Sequence, residues 1–297
     1  MPLAVILLLL KYYEIISSGN SINIDYVPPL PPLEKLLPQW MQGSKGVRQG
    51  KWFLLKMKLQ ILWHKPEQLE SENTVAIESR SCGTTHRFLE KELTNKLIER
   101  CKQENTTIQG ALCAAMLLTV TNKIRMGKFR SVNVLCRSYV DLRRRLEPNI
   151  DYGNLGFLAS LLTSFHKIKA EMSFWDLSRE VSKDIKLSVQ RKDIFKPLIM
   201  FRKIFEFYIN NPDKTMLTIG VTNIGKVNIP HVYGELEIEE ISFVPSNTIF
   251  GKVFTVAATT FNEQLFLNFT ACKPSLSQDT IEMLANNVIN CLSEVCQ

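Results

Sequence analysis

The stretch VNVLCRSYVDLRRRLEPNIDYGNLG, residues 132–156, decides how the chain is read. It opens with Val132, Val134, Leu135 and Val140, a β-branched and apolar run that predicts a strand. It closes with Pro148, Asn149, Asp151, Gly153, Asn154 and Gly156, a density of turn formers that predicts a loop. Between the two lie Asp141, Arg143, Arg144 and Arg145. Charge placed just beyond a strand end is where a scaffold carries function, because the strand holds the loop still. A solvated charged turn has the same composition, so the pattern alone leaves both readings open.

Outward from this stretch the chain reads as an ordered series. Ile108–Lys123 is apolar nearly all round and predicts a helix buried in a large core. Before it, THRFLEKEL predicts a strand running into a helix capped by Thr94. Residues 104–107 end that helix and cap the next. After the central stretch come a strand at Phe157–His166 and an amphipathic helix at Phe174–Arg191. A further helix is predicted at Phe195–Ile209. Strands follow at Met216–Asn223, Leu236–Val244, Phe254–Thr260 and Gln264–Ala271, and the series closes with a helix from Ser277 or Gln278 to Val295.

Ahead of these elements, Leu3–Ser17 predicts a buried apolar helix that needs something to pack against. The linker IDYVPPLPPLEKLLP (residues 24–38) is held extended by its prolines, with Leu30 and Leu33 on the body of the protein. Gly43–Lys51 reads as a mobile basic loop, and Trp52–Trp63 has no clean period. The apolar run at residues 2–10 is shorter than the roughly 20 residues a spanning helix requires. It also lacks the basic start and small-residue cleavage site of a secretion signal.

With 45% hydrophobic and 22% charged residues, 297 residues suffice for one large domain or two small ones. The net charge of +7 suits an acidic or phosphorylated partner, and equally a plain basic surface. No basic block with interleaved aromatics is present, which argues against nucleic-acid binding. The seven cysteines are odd in number and include no C-x-x-C pair. That argues against a disulfide framework or a metal site, and for a reducing, cytoplasmic setting.

Four segments together resemble one family. ENTTIQGALCAAMLLTV (104–120), YVDLRRRLEPNIDYGNLGF (139–157), LTIGVTNIGKVNIP (217–230) and the run from Phe254 to Leu292 follow one another as in the chloramphenicol acetyltransferase-like superfamily. That superfamily includes the condensation domains of nonribosomal peptide synthetases and alcohol acyltransferases. The chain is most like the polyketide-associated, phthiocerol dimycocerosyl transferase-like members. The resemblance implies an α/β fold, a mixed sheet flanked by helices, forming mostly the C-terminal subdomain of a two-subdomain enzyme. Residues 1–84 would be a remnant of the N-terminal subdomain, and 85–297 the C-terminal one.

The resemblance further implies an acyl thioester co-substrate, on coenzyme A or a carrier protein, and an alcohol acceptor, with no bound cofactor and no metal. The family's general base is the second histidine of an H-H-x-x-x-D-G motif, which this sequence does not contain. Its histidines are His64, His86, His166 and His231, none of them doubled. No catalytic residue is therefore assigned, and the chain alone is expected to be a poor transferase. Two accounts of the missing motif stand open: a start placed within a longer reading frame, or a short protein that kept the acceptor-side half. Matched residue by residue, Asp141, Arg143, Asn154, Asn223 and Gly225 would line or brace the cleft. A non-catalytic interaction module on the same fold is the alternative. Under either account, exposed apolar faces would favour self-association or pairing with a partner.

Overall fold

The computed structural model describes residues 2–21, 28–151, 153–156 and 158–297. Helix α1 spans Pro2–Ser17, α2 Leu33–Leu36 and α3 Gly43–His64; strand β1 follows at Ser81–Leu89. Helices α4 (Lys91–Gln103) and α5 (Ile108–Arg125) lead to β2 (Val132–Asp141) and β3 (Ala159–Ile168). Then come α6 (Phe174–Gln190), α7 (Lys196–Ile199), α8 (Phe201–Asn210) and β4 (Ile219–Lys226). A small hairpin, β5 (Val232–Tyr233) and β6 (Leu236–Glu237), precedes β7 (Phe254–Phe261), β8 (Gln264–Lys273) and α9 (Gln278–Glu294).

Six strands form one mixed sheet in the order β1-β8-β7-β4-β2-β3. The central β7, β4 and β2 are parallel, and the outer pairings are antiparallel. One face is covered by the principal core, in which α4, α5 and α9 pack on Val134, Cys136, Val221, Val256, Leu267 and Phe269. Helix α5 is the middle of that core because its sequence offers no polar face. Thr107 caps it, accepting from the Gly110 amide at 3.1 Å. A second cluster joins Leu36, Leu37 and Met41 to Leu142, Leu146, Ile150 and Phe195, so the segment after the prolines packs on the turn that follows β2. Leu30 and Leu33 lie against this cluster, as expected. Residues 24–27 of the linker and Phe157 lie outside the described residues.

Several expectations are corrected. Residues 43–64 are a continuous 22-residue helix and not a loop. Its glycines explain why the pattern misleads. A Cβ on Gly46 would collide with the Met41 backbone, and one on Gly50 would lie 2.9 Å from Met200 Cγ. Tertiary packing therefore sets this helix, against its low intrinsic propensity. Helix α1 forms where expected but is not buried: Leu9 and Ile16 are 62% and 60% exposed.

Thr94 is not a cap. It sits within α4, where its hydroxyl donates to Leu89 O at 2.9 Å and accepts from the Leu265 amide at 3.2 Å, tying the helix to β1 and β8. The helix expected at 195–209 breaks at Met200, whose side chain fills the space over Gly50. Of the strand expected at 236–244 only Leu236–Glu237 forms. The chain then crosses the outer sheet face, pinned by Asn268 Nδ2 donating to Phe243 O at 3.1 Å and Asn247 Nδ2 donating to Val253 O at 2.7 Å.

All seven cysteines are free thiols. Burial pushes the Cys101 thiol up to about 12 and Cys291 to about 11. Both therefore stay protonated and unreactive at pH 8. Brief iodoacetamide treatment of the native chain at pH 8, read by mass spectrometry, is expected to leave both unmodified until denaturant is added. Their raised folded values also mean that this part of the stability, complete below pH 9, is lost as pH rises towards 12.

Candidate functional site

The sheet opens where its parallel centre ends. Strands β2 and β4 pair at Cys136↔Ile219, Arg137↔Gly220 and Ser138↔Val221. Beyond that, β2 stays with β3 as far as Asp141↔Ala159, while β4 follows β7 to Lys226↔Thr260. From Tyr139 and Thr222 onward the two strands part. A crevice at the carboxyl ends of adjacent parallel strands is the usual ligand position in open α/β sheets.

Gln109, in the first turn of α5, closes the apex of this split. Its Nε2 donates to Ser138 Oγ at 3.1 Å and to Val221 O at 3.3 Å, one partner on each strand. Replacing it by leucine removes both donations. Gln109→Leu is expected to destabilise the fold by about 1–2 kcal/mol, read as a lowered urea midpoint with unchanged slope. An unaltered midpoint would show that the amide is not a structural tie.

Asp141 and Arg143 flank the β2 side of the opening. Asp141 Oδ1 accepts from the Arg143 amide at 3.3 Å and from its Nη1 at 3.2 Å. The Arg143 carbonyl accepts from Ile150 N at 2.9 Å, and Arg145 Nη1 reaches Asp141 O at 3.0 Å. Arg143 is buried, while the Asp141 side chain is 42% exposed, so the pair is a braced corner with one carboxylate edge towards solvent. Arg144 and Arg145 are exposed.

On the β4 side, Asn223 Oδ1 accepts from the Gly225 amide at 2.8 Å. Gly225 has φ +78°, the left-handed region that a side chain disfavours. The two residues form a local turn that bulges β4 before its pairing with β7 resumes. Asn154 lies in the loop between β2 and β3, its amide bonded to Asp151 O at 3.2 Å. Among the described residues no hydrogen bond links it to Asp141 or Asn223. The structure thus sets four of the five expected residues at the ends of two diverging strands, and the fifth on the connecting loop.

Two polar features of the outer sheet face escaped the sequence reading. Cross-strand register aligns Thr163, Arg137, Gly220, Thr255, Thr270 and Thr84 in one row over all six strands. Arg137 is buried in that row with its guanidinium 5.8 Å from the centre of the Phe250 ring. An arginine at alternate spacing inside the apolar run 132–140 was the available signal. The second feature is His86, whose Nδ1 is 2.8 Å from Asn268 Oδ1 and whose Nε2 lies 3.3 Å from Glu240.

Two of the four histidines have both ring nitrogens engaged, and the other two are held by ring contacts. His86 is engaged at both nitrogens, as just described. His166 has a fully buried side chain, with Nδ1 2.7 Å from Glu180 and Nε2 2.8 Å from Ser164 Oγ. The Ser–His–Glu connectivity matches a nucleophile chain, but an imidazole without solvent exposure cannot meet an external substrate. His64 stacks on Phe165, centroids 4.8 Å apart, and His231 lies 4.9 Å from the Phe261 ring. Among the described residues no group of His, Cys, Asp and Glu has the geometry of a metal site. No helix among them is long and apolar enough to cross a membrane.

The fold is chloramphenicol acetyltransferase-like and condensation-domain-like. Residues 78–269 match the phthiocerol/phthiodiolone dimycocerosyl transferase C-terminus family, and the chain belongs to that family. Trichothecene 15-O-acetyltransferase from Fusarium sporotrichioides superposes with a TM-score of 0.71 at 11% identity, over 96% of this chain and 63% of that one. Polyketide synthase associated protein 5 from Mycobacterium tuberculosis gives 0.70 at 15% identity, over 99% and 70%. The first condensation domain of the calcium-dependent antibiotic synthetase gives 0.62 at 13%, over 97% and 59%. At these identities the likeness establishes the fold. The chain spans less than two thirds of the first of these structures. No curated protein matches the sequence.

Proposed function

We propose that this chain carries the acceptor-side part of an acyl thioester-dependent O-acyltransferase and, alone, does not turn over. The thioester would be on coenzyme A or an acyl carrier protein and the acceptor would be an alcohol, as expected of the family. The observation that carries this reading is the pairing of a crevice at the ends of β2 and β4 with a sequence that contains no H-H-x-x-x-D-G motif. Asp141 and Arg143 would brace the cleft wall electrostatically, and Asn223 with Gly225 would shape its opposite lip. Asn154 would contribute from the loop.

Without the second histidine of that motif an attacking hydroxyl lacks the family's general base, which forfeits roughly 10²–10⁴-fold in rate. Residues 1–84 would then belong with the N-terminal subdomain and 85–297 with the C-terminal one, in a cytoplasmic protein. Titrating acyl-CoA calorimetrically while measuring thiol release tests the reading. Binding heat without release supports it. Absence of both favours a non-catalytic interaction module, a second reading favoured by the exposed apolar residues of α1 and α3.

A further inference from the structure

We propose that the outward face of α3 docks this protein on an anionic phospholipid surface. The helix contains Lys45, Arg48, Lys51, Lys56 and Lys58 and no acidic residue over residues 43–64. Its glycines, Ile61 and His64 face the body of the protein, leaving the opposite side uncovered. On that side Trp52, Leu55, Leu59, Leu62 and Trp63 are 68%, 47%, 57%, 61% and 85% exposed. Spacings of three, four and seven residues put these five on one stripe.

At 100° per residue, Lys56 falls on one border of the stripe, and Lys51 and Lys58 fall on the other. The same face continues towards the helix start as Lys45 and Arg48. Apolar residues with tryptophans in the middle and lysines at both edges are the pattern of a helix lying in the membrane interface. Lysine stems reach from such a position to headgroup phosphates. Beside the stripe a groove of about 530 Å³ is lined by Arg48, Gln49, Lys51, Trp52, Leu55 and Lys196. Arg48 and Lys51 with an indole edge there suit an anionic headgroup, while Lys196 is paired with Asp193. The charge of α3 selects this occupant: a lipid surface supplies continuous negative charge above an apolar layer, matching both components of the face. The helix lies on the bilayer and does not span it.

Co-sedimentation of the full chain with phosphatidylcholine vesicles, with and without about 30% phosphatidylserine, tests this. Binding is expected to be at least tenfold tighter to the anionic vesicles and largely lost at about 0.5 M salt. Tryptophan emission should shift to the blue on binding. Trp52→Ser/Trp63→Ser should abolish binding, and Lys51→Glu/Lys56→Glu/Lys58→Glu should remove only the preference for anionic lipid. Circular dichroism establishes that each variant is folded. Equal binding to neutral vesicles, no binding to either, or a stable dimer that buries both tryptophans without lipid would each overturn the proposal.

Discussion

Gly110→Val is expected to lower the stability of the chain by about 3 kcal/mol or more. Gly110 lies in the contact between α5 and α6. A Cβ at this position would strike Ser182 Oγ, stand 2.7 Å from the Ser178 carbonyl oxygen and 2.8 Å from Thr106 Oγ1. A hydroxyl can rotate away, but the Ser178 carbonyl belongs to the α6 backbone, so the helix itself must move. Movement also breaks the hydroxyl network in which Thr106 Oγ1 lies 2.7 Å from Ser178 Oγ and 2.8 Å from Ser182 Oγ. Because α5 is buried along most of its length, the displacement spreads into the principal core. Gly153→Ala is the control: nothing lies within 4 Å of the added Cβ, and its effect should stay within about 0.5 kcal/mol. Similar urea midpoints for the two variants would contradict this account of the α5–α6 contact.

The second large effect belongs to Arg125, buried at the end of α5. Its Nη2 donates to Ile168 O at 2.9 Å and Lys169 O at 2.8 Å, and its Nε donates to Arg130 O at 2.9 Å. Nη1 donates to Asn122 Oδ1 at 3.0 Å. One guanidinium thus ties the end of α5 to the end of β3 and to the turn leading into β2. Burial, with the nearby charge of Arg130, draws its pKa below the ordinary arginine value, yet the paired carbonyls repay that cost. Arg125→Met keeps the length and apolar stem but leaves three backbone carbonyls without their donor. The expected loss is about 3 kcal/mol, or roughly 6 °C in Tm. An unchanged melting curve would show that water replaces the guanidinium at no cost.

How far the sequence could be read depends on whether local or distant residues set each element. Helices α5, α6 and α9 and strands β2, β7 and β8 were legible because their own periodicity matches the face they bury. Helix α3 was not, since its register depends on Met41 and Met200 fitting over Gly46 and Gly50, contacts that no local pattern contains. Residues 238–244 belong to the expected strand, yet the Phe243 carbonyl accepts from the side-chain amide of Asn268.

The site divides in the same way. Asp141 with Arg143, and Asn223 with Gly225, are near neighbours in sequence and pair locally. Gln109 was invisible because its partners, Ser138 and Val221, are 29 and 112 residues away. The parting of β2 from β4, which makes the opening, is a property of register between strands that periodicity does not encode.

The central claim is that the family scaffold is present without the general base that an H-H-x-x-x-D-G motif would supply. The most direct measurement is thiol release from acyl-CoA by the purified 297-residue chain in the presence of a long-chain alcohol, followed over a range of enzyme concentrations. The account predicts release at the uncatalysed rate, unchanged by His64→Ala, His86→Ala, His166→Ala or His231→Ala. Turnover that scales with enzyme and is lost when one of these histidines is replaced would contradict it.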